Sequence, residues 1–436
     1  MLDEALESLK KGFTHLPEAR EDIDLEKVRA TLLTAAERMR DNFPYQHPLY
    51  IGQMMRPPHP VAWLAYALAM WINPNNHALD GGRASSAMEK EAVAKIALMF
   101  GWKEHLGHLC GGGTMANFEA LWIARELRPG KAIAASAQAH YTHTRLSSVL
   151  AVPFREIAVD SRGRMSVPAL ESALASDEIG TVVVTLGTTA AGAVDPLPEV
   201  LALRQRYDFR IHVDAAYGGY FSLAGNLGRE ACDAFARIHE ADSIVVDPHK
   251  HGLQPYGCGC VLFRDRSVGQ FYRHNSPYTY FSSPELHLGE ISLECSRPGA
   301  AAVSLWATLE MLPLEPGGQF ARDLEACREA ALSLYESLQN DTQFAPLFEP
   351  ELDIVVWAVR GRSASEASNR AKQIFDAAAR TDLHLALAKL PRAMVETTGV
   401  VNDWDADAVT CLRACAMKPE HRAWMPEIVK RLHAAT

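Results

Sequence analysis

The run Ser243-Ile-Val-Val-Asp-Pro-His-Lys-His-Gly252 says most about the fold of this chain. Its β-branched apolar residues indicate a strand, which Asp247-Pro248 ends abruptly. His249 and Lys250 then follow at the carboxyl end of that strand. Because ligands of open α/β sheets bind at the carboxyl ends of strands, the run predicts an amine at a ligand-binding edge. An ordinary exposed lysine after a strand is the alternative.

A second apolar strand delivers a carboxylate to its carboxyl end. It lies in Phe209-Arg-Ile-His-Val-Asp-Ala-Ala-Tyr-Gly218, and the carboxylate is that of Asp214. An anion at such a position can hold the ring nitrogen of a bound cofactor in its protonated form. Ala215 and Ala216 are small, so a flat ring can lie close to the backbone. A helix cap or a salt bridge is the alternative role for Asp214.

A glycine-rich turn, Gly111-Gly-Gly-Thr-Met-Ala-Asn117, precedes the helical stretch 118–125. Glycines let backbone amides approach an anion closely, and the helix behind them directs its positive end at that anion. The turn is neither a G-x-G-x-x-G fingerprint nor a P-loop, so it fits a single phosphate better than a dinucleotide.

Two further segments place polar side chains after strand-like runs. His140 lies in Ala139-His-Tyr-Thr-His-Thr144, and its imidazole can stack on an aromatic ring. His143 would permit half of a metal site, but no carboxylate or cysteine stands at ligand spacing, so we expect no metal. Thr185-Leu-Gly-Thr-Thr189 closes an apolar strand, where its hydroxyls can bind a cofactor oxygen or a substrate carboxylate, or only form a turn.

Taken together, and in their order along the chain, these segments resemble the group II pyridoxal-phosphate decarboxylases. That family includes aromatic amino acid, tyrosine, glutamate and cysteine sulfinate decarboxylases. The matching pieces are Gly112–Asn117, His140, Leu186–Thr189, His212–Gly218 and Asp247–Lys250. The resemblance covers residues 40–310 well and the rest loosely. It implies an α/β protein of the pyridoxal-phosphate-dependent transferase fold type I (aspartate aminotransferase-like). It also implies an enzyme that uses pyridoxal 5'-phosphate to convert an L-amino acid into its amine and carbon dioxide.

The resemblance also implies roles for individual residues. Lys250 would hold the cofactor as a Schiff base, His140 would stack on its ring, and Asp214 would pair with the pyridine nitrogen. The remaining cofactor contacts would be Gly112, Gly113, Thr114 and His249 near the phosphate, Thr188 or Thr189 near the ring oxygen, and Ala216 beside the ring.

Composition limits the class of protein. The 436 residues are 48% hydrophobic and 22% charged, which is typical of globular proteins, and no stretch is long and apolar enough to span a bilayer. The net charge of −10 argues against nucleic acid and anionic membranes as partners. The acidic, amphipathic N-terminus is unlike a signal peptide. Eight scattered cysteines favour reduced thiols, so we expect a cytoplasmic protein.

The order of predicted elements divides the chain into three parts. Residues 1–100 form an N-terminal helical segment that wraps a partner subunit, because its apolar faces have no sheet of their own to cover. Residues 101–312 form a large cofactor-binding domain, whose alternating helices and strands predict a mostly parallel sheet covered on both faces. Residues 313–436 form a small α+β domain. We therefore expect a homodimer with active sites at its interface.

The segment Phe271–Arg297 is a long loop rich in aromatic residues, and such loops are commonly functional. The decarboxylases that it resembles carry a tyrosine here that returns a proton to the substrate carbon. Anchored on Arg297, our register puts Leu288 at that place. Tyr280 or His287, with Tyr278 as a third candidate, would then deliver the proton. Aromatic packing at a dimer interface is the alternative.

Two other functions remain open at this point. A carbon–carbon lyase or a transaminating relative would use the same cofactor residues, because the cofactor carries the shared chemistry. A non-catalytic homologue that binds a partner is the third reading, against which the presence of Lys250, Asp214 and His140 argues. The sequence does not identify the amino acid substrate.

Overall fold

A computed structural model of the protein describes residues 1–17, 23–77, 81–273 and 291–436. The N-terminal part is helical, with α1 (Leu2–Lys10), α2 (Leu25–Met39), α3 (Pro60–Met70) and α4 (Arg83–Met99). The carboxylate of Asp24 caps α2 by accepting a hydrogen bond from the Lys27 amide. Both α3 and α4 pack against the later helix Gly299–Met311, whereas α2 buries none of its residues.

A seven-stranded sheet forms the centre of the molecule. Its strands are β1 (Leu106–Cys110), β2 (Ala132–Ser136), β3 (Phe154–Ile157), β4 (Ile179–Thr185), β5 (Arg210–Asp214), β6 (Ser243–Val246) and β7 (Gly259–Phe263). The order across the sheet is β1-β7-β6-β5-β4-β2-β3. Only β7 runs against its neighbours β1 and β6, and the other pairs are parallel. The expectation of a mostly parallel sheet is confirmed.

Helices cover both faces of this sheet. They are α5 (Gly113–Leu127), α6 (Thr142–Val149), α7 (Val167–Leu174), α8 (Leu197–Leu203) and α9 (Arg229–Ala236). All seven residues of β4 are buried, as expected for a parallel strand with a nearly continuous apolar sequence. Val182 and Val184 belong to one buried apolar cluster and Val183 to another, because side chains alternate between the faces of a strand.

The C-terminal part begins with two helices, α10 (Gly299–Met311) and α11 (Gln319–Gln339). A four-stranded antiparallel sheet follows, made of β8 (Phe344–Pro346), β9 (Ile354–Val359), β11 (Ala386–Pro391) and β13 (Ala408–Cys415). The order of these strands is β11-β13-β9-β8. The short strands β10 (Gly361–Ser363) and β12 (Val401–Asp403) form a parallel pair, and α12 (Ala364–Ala379), α13 (Arg392–Val395) and α14 (His421–Ala434) complete the chain.

The three-part division of the chain stays a prediction. One buried apolar cluster contains Ala92, Val213 and Val356, which come from all three predicted parts. Among the described residues, no helix is both long enough and apolar enough to cross a membrane.

Candidate active site

The carboxyl ends of β4, β5 and β6 and the start of α5 open onto one cavity of about 740 Å³. Most of the site residues named from the sequence line this cavity. They are Gly112, Gly113, Thr114, His140, Thr189, Asp214, Ala216, His249 and Lys250. Residues that are far apart in the sequence therefore meet at the edge of the sheet where ligands of such folds bind.

The amine of Lys250 is held by a carboxylate from the end of its own strand. Its Nζ lies 3.1 Å from Oδ2 of Asp247, and its backbone amide donates a hydrogen bond to the Asp247 carbonyl. Asp247 is buried, and in the part of the chain that the structure describes its Oδ1 has no hydrogen-bond partner. The same Oδ2 lies 3.5 Å from Nε2 of His249, whose Nδ1 bonds the carbonyl of Cys258. Asp247 thus provides a counter-ion for Lys250 and holds its amine at the cavity.

A buried imidazole supports Asp214, the last residue of β5. Nε2 of His143 lies 2.8 Å from Oδ2 of Asp214, and the amide of Ala216 donates to Oδ1 at 3.1 Å. Burial by itself would raise the pKa of Asp214, but the hydrogen bond with His143 and its charge outweigh burial and lower that pKa. Asp214 is therefore an anion at neutral pH although it is only 4% exposed.

A hydrogen-bonded chain extends behind Asp214. The Nδ2 of Asn117 lies 3.4 Å from Oδ2 of Asp214, and its Oδ1 lies 2.8 Å from Nε2 of His212. Nδ1 of His212 lies 2.9 Å from Oγ of Ser243. Burial, followed by the nearby charge of His143, lowers the pKa of His212 to about 3, so its ring is neutral. These contacts fix Asn117 so that its amide faces the carboxylate.

Glycines let the turn before α5 lie directly against its neighbours. A Cβ on Gly259 would come within 2.5 Å of the carbonyl carbon of Gly112, and one on Gly113 within 2.6 Å of Oδ2 of Asp247. Gly112 has φ +140°, a conformation that side chains disfavour. The Gly111 amide donates to a carboxylate oxygen of Glu294 at 2.8 Å. The close packing leaves backbone amides at the cavity wall, where a phosphate can reach them.

The remaining predicted residues differ in where they point. His140 is half-buried, and burial lowers its pKa, so the imidazole is neutral near pH 7. Thr189 lines the cavity, and so does Thr185, whose buried hydroxyl has no hydrogen-bond partner among the described residues. Thr188 does not line the cavity, and its Oγ1 accepts a hydrogen bond from the Ala193 amide at 3.1 Å. Thr185 is therefore better placed than Thr188 to meet a ligand.

The candidates for proton delivery lie outside the described residues. Tyr278, Tyr280, His287 and Leu288 all fall within 274–290, so their predicted roles stay predictions.

A buried network ties the cavity to the C-terminal sheet. Tyr217, which lines the cavity, donates its hydroxyl to Oδ1 of Asp353 at 2.6 Å. His251, which directly follows Lys250, places Nε2 at 3.2 Å from Oδ2 of the same carboxylate. All three residues are nearly inaccessible to solvent. Asp353 precedes β9 and lies in a part of the chain without a motif, so no sequence pattern marks it as part of the site.

Sequence comparison identifies the family. A profile of the "Pyridoxal-dependent decarboxylase conserved domain" matches residues 122–360, which is more than half of the chain. The chain belongs to the pyridoxal-dependent decarboxylase family. An L-tyrosine decarboxylase of Enterococcus faecium is 28% identical over 73% of this chain and 69% of its own length. A probable L-tyrosine/L-aspartate decarboxylase of Methanocella arvoryzae is 30% identical over 76% of this chain and 84% of its own length.

Solved structures have the same fold as this decarboxylase. Mouse CSAD superposes with a TM-score of 0.80 at 21% identity and covers 98% of this chain and 92% of its own. Oryza sativa TDC with pyridoxal phosphate and tryptamine gives 0.80 at 18% identity, over 98% of this chain and 91% of its own. The resemblance and the fold class predicted from the motifs are confirmed.

The protein is a pyridoxal-phosphate-dependent amino acid decarboxylase, and the cavity suits this cofactor. Backbone amides of the glycine turn and the N-terminus of α5 are ready for a phosphate, and Lys250 supplies a primary amine. Asp214 supplies a buried anion, and Thr185 supplies a buried hydroxyl that no other residue within 1–17, 23–77, 81–273 and 291–436 hydrogen-bonds. The alternatives of a carbon–carbon lyase, a transaminating relative and a non-catalytic homologue are not supported by the family match.

Proposed function

We propose that Lys250 binds pyridoxal phosphate covalently and that the cavity around it decarboxylates an L-amino acid. The observation that carries this proposal is the convergence of the Lys250 amine, the Asp214 carboxylate and the Gly112–Thr114 turn on one cavity. Bound pyridoxal phosphate accepts the electron pair that the departing carboxylate leaves on the substrate. Each surrounding side chain then has a separate task.

Asp214 would hold a proton on the pyridine nitrogen. Its ionised state, maintained by His143 at 2.8 Å, provides the counter-ion that a protonated ring nitrogen needs. His140, half-buried and neutral, would lie against the ring. The amides of Gly112 and Gly113 would bind the phosphate, with Thr114 and His249 close to it and Thr189, Thr185 and Ala216 beside the ring.

Asp247 would keep Lys250 in position before the cofactor binds. The ion pair at 3.1 Å holds the amine at the end of β6, so it need not search other rotamers. A proton must finally return to the substrate carbon, and Tyr278, Tyr280 and His287 remain the proposed donors. The test of this assignment is the site of covalent attachment, which Lys250→Ala should abolish while Lys389→Ala leaves it intact.

We propose a homodimer as the active form. None of the 15 residues of α2 is buried, and three of its large apolar side chains, Leu25, Leu32 and Leu33, are 73%, 64% and 53% exposed. Trp63 and Trp71, in and after α3, are also about half exposed, at 50% and 47%. Large apolar side chains clustered in one part of a surface typically mark a protein–protein interface. A second copy of the chain would cover them and bring the two active sites to the interface.

Light scattering on the wild-type protein tests the dimer, and Leu32→Glu with Leu33→Glu should shift the mass toward that of one chain. Leu98→Glu, an exposed leucine on α4, serves as a matched comparison within the same segment. A wild-type monomer would contradict the proposal.

For the substrate, we propose the amino acids named for the curated relatives, L-tyrosine and L-aspartate. A screen of amine release over the common amino acids tests this choice, and release from neither of the two would contradict it. We propose a cytoplasmic location as well, which the eight unpaired cysteines support.

A further inference from the structure

A second depression lies at the opposite end of the parallel strands. Its volume is about 540 Å³, and we call it the arginine pocket; its charged residues are Arg128, Arg204, Arg206, Asp208, Arg210 and Asp242. Arg210 begins β5, whereas Asp214 ends the same strand in the cofactor cavity. With a rise of about 3.3 Å per residue, the two ends are about 13 Å apart, so the two depressions are separate sites.

The lining of the arginine pocket has an excess of positive charge. Its four guanidinium groups face only two carboxylates, although the whole chain has a net charge of −10. Arg128 forms a bidentate pair with Asp208 at 2.7 and 2.6 Å, and Arg204 pairs with Asp242. Arg206 pairs with Glu171 outside the pocket. Three of the four arginines are therefore already paired.

Arg210 is the exception. Within the described part of the chain, its guanidinium forms no hydrogen bond and no ion pair, although its backbone pairs with β4, and its side chain is only partly exposed. Burial lowers the pKa of Arg210, which reflects the cost of holding this charge away from water. The carboxylates of Asp242 and Asp265 lie near enough to favour this charge but form no direct ion pair with it, and burial still outweighs them. A bound anion in direct contact would therefore relieve a cost that the protein alone leaves in place.

We propose that the arginine pocket binds a small phosphorylated anion and that Arg210 is its main contact. The planar fork of a guanidinium matches the oxygens of a phosphoryl group and forms charge-assisted hydrogen bonds with them. Paired Arg128 and Arg204 flank it and add positive potential. The strongly negative net charge of the chain disfavours a nucleic acid strand and favours a small soluble ligand.

Calorimetric titration of the holoenzyme with inorganic pyrophosphate tests this proposal. The cofactor is first fixed with borohydride, so that the phosphate position in the cofactor cavity is filled. Wild-type protein should bind pyrophosphate, and Arg210→Gln should weaken that binding at least about tenfold, the loss expected for one charge-assisted contact. Arg210→Lys keeps the charge but loses the fork and should give an intermediate affinity.

Arg229→Gln is the matched control, because it removes the same charge from a side chain that is 95% exposed and lies outside the pocket. Its affinity for pyrophosphate should stay within about twofold of the wild type, as expected for a screened surface charge. Absence of pyrophosphate binding to the wild type would overturn the proposal, and so would equal losses in Arg210→Gln and Arg229→Gln. Arg210→Gln breaks no hydrogen bond, so its melting temperature should match the wild type; if it does not fold, Arg210→Lys takes its place.

Discussion

Replacing His143 by leucine isolates the electrostatic support of Asp214. The wild-type imidazole contributes a hydrogen bond at 2.8 Å and a favourable charge, which together outweigh burial and lower the pKa of Asp214. In His143→Leu the burial remains and this support is lost. The pKa of Asp214 should then rise by about 2 units, within the 1 to 3 units that a nearby opposite charge typically contributes. That rise corresponds to about 2.7 kcal/mol.

The assay is the pH dependence of kcat for amine formation. Because Asp214 must be ionised to hold a proton on the ring nitrogen, the acidic limb of the profile should move to higher pH in His143→Leu, by up to about 2 pH units. His143→Gln retains an N–H donor and should move the limb less. A normally folded His143→Leu enzyme whose acidic limb coincides with that of the wild type would refute the reasoning.

The remaining predictions concern single residues. Asp214→Ala should reduce turnover about a hundredfold, from a loss of about 2.7 kcal/mol, but weaken cofactor binding far less; turnover close to wild type would count against its role. One of Tyr278, Tyr280 and His287 is proposed to return the proton. Replacing that residue (by Phe for tyrosine, by Gln for histidine) should slow amine formation and divert some product to a carbonyl compound, while the cofactor affinity stays unchanged. Normal amine formation in all three single variants would exclude these donors. The pKa of His212 is about 3 in the folded state and has its ordinary value of 6.5 in the unfolded chain, so the unfolded chain binds more protons between these two pH values. The free energy of unfolding should therefore fall by about 1.4 kcal/mol per pH unit as the pH drops through that window. Urea titrations at several pH values measure this dependence, and in His212→Gln the slope of the unfolding free energy against pH should be smaller by the contribution of one proton.

The sequence predicted the central sheet well because its strands have unusually clear boundaries. The run Ser243–Val246 is wholly apolar apart from its first residue and stops at Asp247-Pro248, and the structure ends β6 at Val246. The strand β1 (Leu106–Cys110) was not predicted, because glycine and histidine interrupt its short apolar run. Its place in the sheet comes from antiparallel pairing with β7, a contact between residues about 150 positions apart. Local patterns do not contain such information.

The same distinction applies to the site. Residues that lie in compact motifs, such as Lys250 and Asp214, were named from the sequence, and the structure brings them to one cavity. The sequence indicates His143 only as half of a metal site, although its spacing of three from His140 places both near the start of one helix. Asp353 lies 136 residues from Tyr217, and only the packing of the C-terminal sheet against the cavity brings the two together.

The attachment point of the cofactor tests the central claim most directly. Holoenzyme is reduced with borohydride and digested, and the peptide that carries the pyridoxyl group is identified by mass spectrometry. The account predicts the modification on Lys250, whose amine lies 3.1 Å from Asp247 in the cofactor cavity, and its loss in Lys250→Ala. Modification of another lysine, with Lys389 of β11 as the first one to examine, or a retained adduct in Lys250→Ala would contradict it.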